Sequence, residues 1–409
     1  MKARYVLLAS LYTSQFLPIG FFYIALTAVL RREGVSLEAI GFVHLLALLW
    51  VVKSLWAPIV DRFGWQQLGH YRGWLILVQG LMVLAIVGLI PIDVVRQPIP
   101  LFLLVAIIAF LAATQDIAVD AVAVRLLEIS ERGPANGIQI AAGNLGFVIG
   151  GGGLLVVFDH LGWGPAVGML AVLTGAPLLL VIKYLKPEEA SRSEDERSRV
   201  SLANIGGFFR QPGVGRWIWL VVPLFYLGIA IPHKLITPML VDAGWPLGRI
   251  GTVAGIGGGA IAMLAALAGG VLLGRYRRRA ALLTIAIVQL VAIGAALPLA
   301  FGGQHAITGL MAIILLNVGY AATGAAVFTV NMDWSRPLLA GTDYALLSAW
   351  AIIWADVLSA VGLSVAGVIG YGPMTGAAAA MCLIGLTAVT RIFRTHPGVK
   401  PSPEVTPAV

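Results

Sequence analysis

Residues Ala113-Thr114-Gln115-Asp116-Ile117-Ala118-Val119-Asp120-Ala121 place two carboxylates at the end of an apolar run that begins near Pro100. Positions four apart share one face of a helix, so Asp116 and Asp120 are predicted to stack one turn apart. The run is long enough to cross a bilayer. Because ionisable groups at that depth are costly in lipid, the stretch predicts a membrane helix whose acids face protein or a water-filled cavity.

The composition indicates a membrane protein with several spans. Of its 409 residues, 59% are hydrophobic and only 11% are charged, whereas soluble domains are typically about 25% charged. Mean hydropathy is +0.93. The single cysteine, Cys382, excludes an internal disulfide. A net charge of +8 could indicate nucleic-acid binding, but the basic residues lie in short loops between apolar runs, which is typical of a membrane protein.

Twelve apolar runs predict twelve membrane-spanning helices, at about 5–30, 37–57, 73–91, 100–122, 135–158, 164–185, 214–236, 247–272, 280–300, 306–328, 342–366 and 372–392. If both termini are cytoplasmic, 21 of the 27 Lys and Arg residues lie on the inner side, as the positive-inside rule requires. The first run resembles a signal peptide. It continues to Leu30 without a clear cleavage site, so we interpret it as a retained helix.

The sequence divides into two related halves. Residues 187–212 are polar and mixed in charge, which predicts a cytoplasmic linker between six-helix bundles at 1–186 and 213–395, with a Pro-rich, disordered tail at 396–409. Several residues recur at one offset of 210: Leu30, Gly34, Leu37, Ile40, Gly41 and Val43 match Leu240, Gly244, Leu247, Ile250, Gly251 and Val253. Chance matching in an apolar chain is the alternative, but the offset also coincides with the topological midpoint.

Five blocks carry a family resemblance: Lys53–Arg62 (KSLWAPIVDR), Gly69–Trp74 (GHYRGW), Ala113–Ala121, Arg132–Gly137 and Gly341–Ser348. Together they resemble the AmpG-like branch of the major facilitator superfamily, which includes muropeptide permeases, acetyl-CoA transporters and the RhtX/FptX siderophore permeases. The opening Gln15–Phe22, the turn Leu30–Gly34 and the chain length look most like the siderophore permeases.

This resemblance implies an all-α membrane protein with twelve transmembrane helices in two pseudo-symmetric six-helix bundles. It further implies a monomer in the bacterial inner membrane that imports a ferric siderophore by alternating access, driven by protons. Iron would arrive already chelated, so neither a protein metal site nor a cofactor is expected. A muropeptide or acyl-CoA substrate is the first alternative.

A membrane-embedded enzyme or sensor is the alternative of another class. The sequence has no P-loop, no CxxC or HExxH motif and no nucleophile with a convincing partner, which argues against an enzyme. A sensor would need an output domain, and the linker and tail are short and polar.

The acids and their basic neighbours have open roles. Asp116 and Asp120 are predicted as proton carriers, or as a cytoplasmic gate with Arg125 and Arg62; a static structural network is the alternative. The adjacent Asp61 and Arg62, in the loop after the second span, fit a lock between helix ends. A membrane-surface anchor is equally open for that Arg.

Substrate contacts are predicted from polar or aromatic residues inside the spans. Lys53 could meet an anionic group, pair with Asp116, or extend to the membrane surface. The pair Trp350 and Trp354 shares a helix face and suits an aromatic ligand, the alternative being an interfacial belt. The full set of candidates is Lys53, His44, Trp50, Gln115, Asn144, Asn317, Tyr320, Trp350, Trp354 and Asp356.

Overall fold

A computed structural model describes residues 2–35, 43, 45–46, 48–65, 67–187 and 206–392 of the chain. All regular elements in these residues are helical, which confirms the all-α class. We number the helices α1 (Ala3–Arg32), α2 (Leu48–Val52 and Ala57–Arg62, joined by the 3-10 turn Lys53–Leu55), α3 (His70–Gly88), α4 (Pro98–Leu126), α5 (Ile129–Leu161), α6 (Trp163–Tyr184), α7 (Val214–Asp242), α8 (Gly248–Arg275), α9 (Arg278–Ala300), α10 (Ala306–Trp334), α11 (Pro337–Ile369) and α12 (Tyr371–Ile392).

Eleven of these helices are long and apolar enough to cross a membrane, and they match eleven of the predicted spans. Several run further than hydropathy predicts, because polar turns at the membrane surface continue the helix. For example, α5 begins at Ile129 rather than near 135, and α10 ends at Trp334 rather than near 328. Much of the predicted span 37–57, most of the linker 187–212 and the tail 396–409 lie outside the described residues, as does His44.

One compact unit, unit 1, comprises Met1–Leu126, Ile138–Phe208 and Trp334–Ala349. Its apolar core is formed mainly by α1, α3, α4 and α6, with members such as Leu26, Met82 and Val105 fully buried. Helices α1 and α5 approach closely: a Cβ at Gly150 would collide with the carbonyl of Leu17. Small residues therefore allow backbone contact here, as in many membrane helix pairs.

The second compact unit, unit 2, comprises Leu127–Gly137, Phe209–Asp333 and Trp350–Val409. Its core is formed by α7, α9, α10 and α12, and includes the fully buried Ile229, Ile293 and Leu316. Glycines again allow close approach, because a Cβ at Gly133 in the first turns of α5 would lie 2.6 Å from the carbonyl oxygen of Gly270 in α8.

The described helices support the internal repeat. Helices α4 and α10 both have 29 residues, α5 and α11 both have 33, and α6 and α12 both have 22. The turns after α1 and α7 are also alike: Gly34 and Gly244 both have a φ of +82°. In each turn the next residue donates its N–H back to a leucine carbonyl at 3.0 Å, which is a glycine-terminated helix end.

The spans have two further features. Large apolar side chains such as Val172, Leu179 and Val368 are more than 70% exposed, which suits a lipid solvent rather than water. Among the described residues, five spans contain a π-helical turn, at Phe21–Leu26, Ile149–Gly153, Trp217–Val221, Gly251–Gly257 and Ile353–Leu358. Such turns interrupt the regular hydrogen-bond ladder and are frequent at functional sites.

Candidate functional site

Three charged side chains form a buried cluster in unit 1. Asp116 and Asp120 are 4% and 1% exposed, and Lys53 is 1% exposed. The ammonium of Lys53 bonds to Asp116 Oδ2 and lies 3.7 Å from Asp120 Oδ2. Of the three alternatives for Lys53, the structure therefore shows pairing with Asp116. Two carboxylates share one ammonium, so the fully ionised cluster carries one uncompensated negative charge.

Neutral donors from α1 complete the surroundings of the two acids. Gln15 Nε2 donates to Asp116 Oδ1 at 2.6 Å, and the hydroxyl of Tyr12 donates to Asp120 Oδ1 at 2.8 Å. Both donors are buried. Neither donor was predicted to contact the acids, although their spacing of three residues on one face of an apolar helix is a usable signal.

A third donor to the acids comes from α5. Gln139 Nε2 lies 3.4 Å from Asp120 Oδ1, and its Oε1 accepts the hydroxyl of Tyr344 from α11 at 3.3 Å. Gln115, a predicted substrate contact, instead donates to the Leu11 carbonyl within unit 1, at 3.2 Å.

The predicted gate residues separate into two groups. Within the described residues, neither Asp116 nor Asp120 forms an ion pair with Arg62 or Arg125. Arg125 donates to the carbonyl of Pro337 at 3.1 Å. Arg62 is exposed, with its guanidinium 5.7 Å from the centre of the Phe63 ring. In this structure Lys53, rather than either arginine, is therefore the charged partner of the two acids, and the gate with Arg62 and Arg125 stays a prediction.

Asp61 is fully buried and binds the first turns of the α-helical part of α11, Ala340–Ile352. It accepts the N–H of Gly341 at 3.2 Å, the N–H of Thr342 at 2.8 Å and the Thr342 hydroxyl at 2.7 Å. Tyr71 donates a fourth bond at 2.7 Å. A carboxylate at this place satisfies N–H groups that the helix leaves unpaired and interacts favourably with the helix dipole.

A second charged cluster belongs to unit 2 and was missed by the sequence analysis. Asp333 at the end of α10 accepts Arg278 Nε at 2.7 Å and Arg132 Nη1 at 3.1 Å. Arg278 is only 5% exposed and also donates to the carbonyl of Ile129 at 2.7 Å. One carboxylate thus holds two guanidinium groups that come from α5 and α9.

The predicted substrate residues of unit 1 are partly committed to local contacts. Asn144 donates to the carbonyl of Ile140 in its own helix at 3.0 Å. The ring of Trp50 lies 6.1 Å from that of Phe16, and its buried indole N–H has no acceptor among the described residues. Buried donors are usually paired, so Trp50 stays a candidate for substrate contact.

In unit 2, the predicted residues of α10 meet a histidine of α7. The His233 ring stacks on Tyr320 at 4.4 Å with an interplanar angle of 9°, and its Nε2 lies 3.3 Å from Asn317 Oδ1. Tyr226 approaches the Tyr320 ring edge-on at 6.3 Å. These side chains form an aromatic and polar cluster inside the spans, which we call the histidine–tyrosine cluster.

The remaining candidates of unit 2 lie on α11. Asp356 pairs with Lys234 at 3.2 Å. Trp350 and Trp354 are in edge-to-face contact at 5.7 Å, which agrees with their predicted common face. Trp219 packs on Trp350 at 4.6 Å, and the indole N–H of Trp350 bonds to the carbonyl of Ile218.

Known proteins resemble this chain over most of its length. The anhydromuropeptide permease of Escherichia coli (strain K12) is 28% identical over 363 residues, covering 88% of this chain and 71% of that protein. A putative transporter named AmpG 4 from Rickettsia felis is 25% identical over 342 residues, covering 81% of this chain and 83% of the relative. The AmpG-like part of the predicted resemblance is thereby supported, whereas neither of these relatives is named as a siderophore permease.

A solved structure confirms the fold. The crystal structure of the E. coli fucose:proton symporter FucP superposes with a TM-score of 0.70 at 14% identity, covering 96% of this chain and 98% of the symporter. At that identity the likeness concerns the fold alone. The sequence matches the profile of the Major Facilitator Superfamily over residues 8–354. This chain therefore belongs to the Major Facilitator Superfamily and has its fold.

Proposed function

We propose that this protein imports a muropeptide-type solute across the cytoplasmic membrane, and that proton binding at Asp116 and Asp120 drives the transport. Its fold and family are those of transporters. The observation that carries the proposal is the cluster of Lys53 and two aspartates buried inside the spans. A siderophore substrate, expected from the sequence, has no support from the relatives described above.

The cluster has the charge balance that a proton carrier needs. When all three groups are ionised, the net charge is −1, and burying an uncompensated charge is expensive. Binding one proton by either acid brings the cluster to neutrality. The side chain of Tyr12 beside Asp120 remains a hydrogen-bond donor in both states. Proton uptake thus removes a buried charge without dismantling the surrounding structure, which supports a reversible step.

A muropeptide combines amino-sugar rings with a short peptide that carries carboxylates. Sugar rings pack on aromatic faces, and the histidine–tyrosine cluster provides such faces together with the Asn317 amide. The ammonium of Lys234, paired with the exposed Asp356, is positioned to exchange this partner for a substrate carboxylate.

The halves at 1–186 and 213–395 are the proposed moving parts of a monomer whose two termini are cytoplasmic. Alternating access requires that contacts between the halves of the chain open and close. The bonds of Asp61 to Thr342, which join residues of the two halves within unit 1, are suited to this role. Their breakage would release the first turns of α11.

The deciding experiment is uptake of a radiolabelled anhydromuropeptide into proteoliposomes under an imposed pH gradient. We expect accumulation that a protonophore abolishes, and loss of accumulation in Asp120→Asn. A ferric siderophore and an acyl-CoA serve as competitors in parallel assays. Accumulation of either competitor in place of the muropeptide would overturn the substrate assignment. Accumulation that ignores the protonophore would overturn the proton coupling.

A further inference from the structure

A chain of hydrogen bonds connects the buried acids to the helix end that Asp61 holds. Asp120 Oδ1 lies 3.4 Å from Gln139 Nε2, and Gln139 Oε1 lies 3.3 Å from the hydroxyl of Tyr344. Tyr344 is fully buried, and it follows Thr342 by two residues in the same helix. Unit 1 contains all of these residues: Asp120, Gln139, Thr342, Tyr344 and Asp61.

The side-chain amide of Gln139, in the middle of this series of hydrogen bonds, can be oriented in two ways. One end of a glutamine side chain only donates, and the other end only accepts. When Asp120 is ionised, it can only accept, so the amide NH₂ faces it and the amide oxygen accepts a hydrogen bond from the Tyr344 hydroxyl. When Asp120 carries a proton, its hydroxyl can donate to the amide oxygen. The amide then presents its NH₂ to Tyr344, whose own hydroxyl must find another acceptor.

The charge of Asp120 therefore biases the orientation of the Gln139 amide, and with it whether Tyr344 donates along this chain. We propose that Gln139 and Tyr344 are positioning residues that couple the protonation of Asp120 to the contact between Asp61 and α11. This inference rests on the proposed proton step. The titratable groups that face Asp120 come from four helices: Lys53 of α2, Asp116 of α4, Tyr12 of α1 and, through Gln139, Tyr344 of α11.

The first turn of α11 offers a site for a reporter. Ala340 is fully buried immediately before Gly341, whose N–H binds Asp61. The only native thiol, Cys382, is buried in unit 2 and is removed as Cys382→Ala. In that background, Ala340→Cys reports the release of the helix end through its rate of labelling by a maleimide, measured on membranes without substrate.

We expect Asp120→Asn, which imitates the uncharged acid, to raise the labelling rate at least about fivefold, corresponding to loss of about one hydrogen bond. When Tyr344→Phe is also present, the labelling rates with Asp120→Asn and with native Asp120 should differ by less than twofold. Tyr12→Phe is the matched control, because it removes a donor to Asp120 but keeps the hydrogen bond between Tyr344 and Gln139; there the fivefold difference should persist. If Tyr344→Phe does not accumulate, Gln139→Met takes its place with the same expectation.

Persistence of the fivefold difference in both Tyr344→Phe and Gln139→Met would overturn the coupling, and so would an Asp120→Asn substitution that leaves labelling unchanged. Uptake measurements separate this failure from failure of the proposed function. If Asp120→Asn abolishes pH-driven uptake but leaves labelling unchanged, the proton step stands and the coupling route is wrong. If uptake and labelling are both unchanged, the proton step and the coupling route fail together.

Discussion

The carboxylate of Asp61 accepts both the N–H and the hydroxyl of Thr342, at 2.8 and 2.7 Å, across 281 positions of sequence. These bonds cost little entropy once the helices are in place, and they stabilise the start of a helix whose N–H groups are otherwise unpaired. They are therefore suited to hold one state of the protein and to be lost in another.

Asp61→Asn should weaken this contact, because an amide oxygen is a poorer acceptor than a carboxylate and its NH₂ opposes the N–H groups of α11. We expect a loss of about 1–3 kcal/mol, seen as a lower Tm in detergent, and reduced initial uptake. Asp159→Asn, an exposed site in α5, is the control and should change neither value. An unaltered Tm and normal uptake in Asp61→Asn would show that the contact has no role.

Lys53→Met should destabilise unit 1 strongly, because two buried carboxylates then lose their shared ammonium. Removing one member of a buried ion pair typically costs about 3–5 kcal/mol. The double variant Lys53→Met with Asp120→Asn should recover part of that loss, since fewer negative charges remain. The amount of monodisperse protein and its Tm measure both effects, and a double-mutant cycle gives the coupling. Additive losses would contradict the shared-charge interpretation.

Asp116→Asn and Asp120→Asn should each impair gradient-driven accumulation while the proteins still insert and exchange substrate at equal pH. Wild-type uptake should rise as the outer pH falls by about two units, because that supplies protons to the carrier. Asp93→Asn is the control for surface charge. Hydrogen bonds from the N–H groups of Arg96 and Val95 lower the pKa of Asp93, so it stays ionised throughout. Full accumulation in both core variants would leave the acids without a transport role.

Asp333→Asn should destabilise unit 2, because Arg132 and Arg278 would both lose their counter-charge. The expected loss is about 3–5 kcal/mol. Asp343→Asn makes a comparison in unit 1, where the carboxylate meets the single guanidinium of Arg336 at 2.7 Å. Thermal unfolding in detergent should show the larger decrease for Asp333→Asn. Equal decreases would mean that the second arginine adds nothing to the first.

Tyr320→Leu should raise the KM for the transported solute by about three- to tenfold, because the leucine side chain offers no ring face to a sugar or to His233. Tyr320→Phe keeps the face and should transport with nearly native KM. Uptake kinetics of the two variants side by side decide the matter. If both variants match the wild type, the histidine–tyrosine cluster does not contact the solute.

Hydropathy was sufficient to locate most of the spans. The apolar run near 100–122 predicts α4. The observed helix, Pro98–Leu126, extends only slightly beyond that run at each end. Bilayer thickness sets the length of each span, so a span can be recognised from its own run of apolar residues without knowledge of its neighbours. The helix ends were less predictable, because Glu131 and Arg132 are polar yet helical, and polarity alone does not distinguish a surface turn from a loop.

Partners of the site residues could not be predicted in the same way. Gln15 and Asp116 are 101 positions apart, and only the packing of α1 against α4 brings them to 2.6 Å. For the charged partner of the acids, the sequence left Lys53, Arg62 and Arg125 open, because spacing along the chain does not show which side chain is buried beside them. The structure shows the ammonium of Lys53 there, since the turn Lys53–Leu55 buries that side chain.

Helices α4 and α10 have equal lengths, and aligning them end to end sets Asp116 at the position of Gly324 and Asp120 at that of Phe328. The acidic pair thus occurs in one copy of a duplicated element and has no counterpart in the other. The proposed proton step is therefore carried by one half of the chain alone.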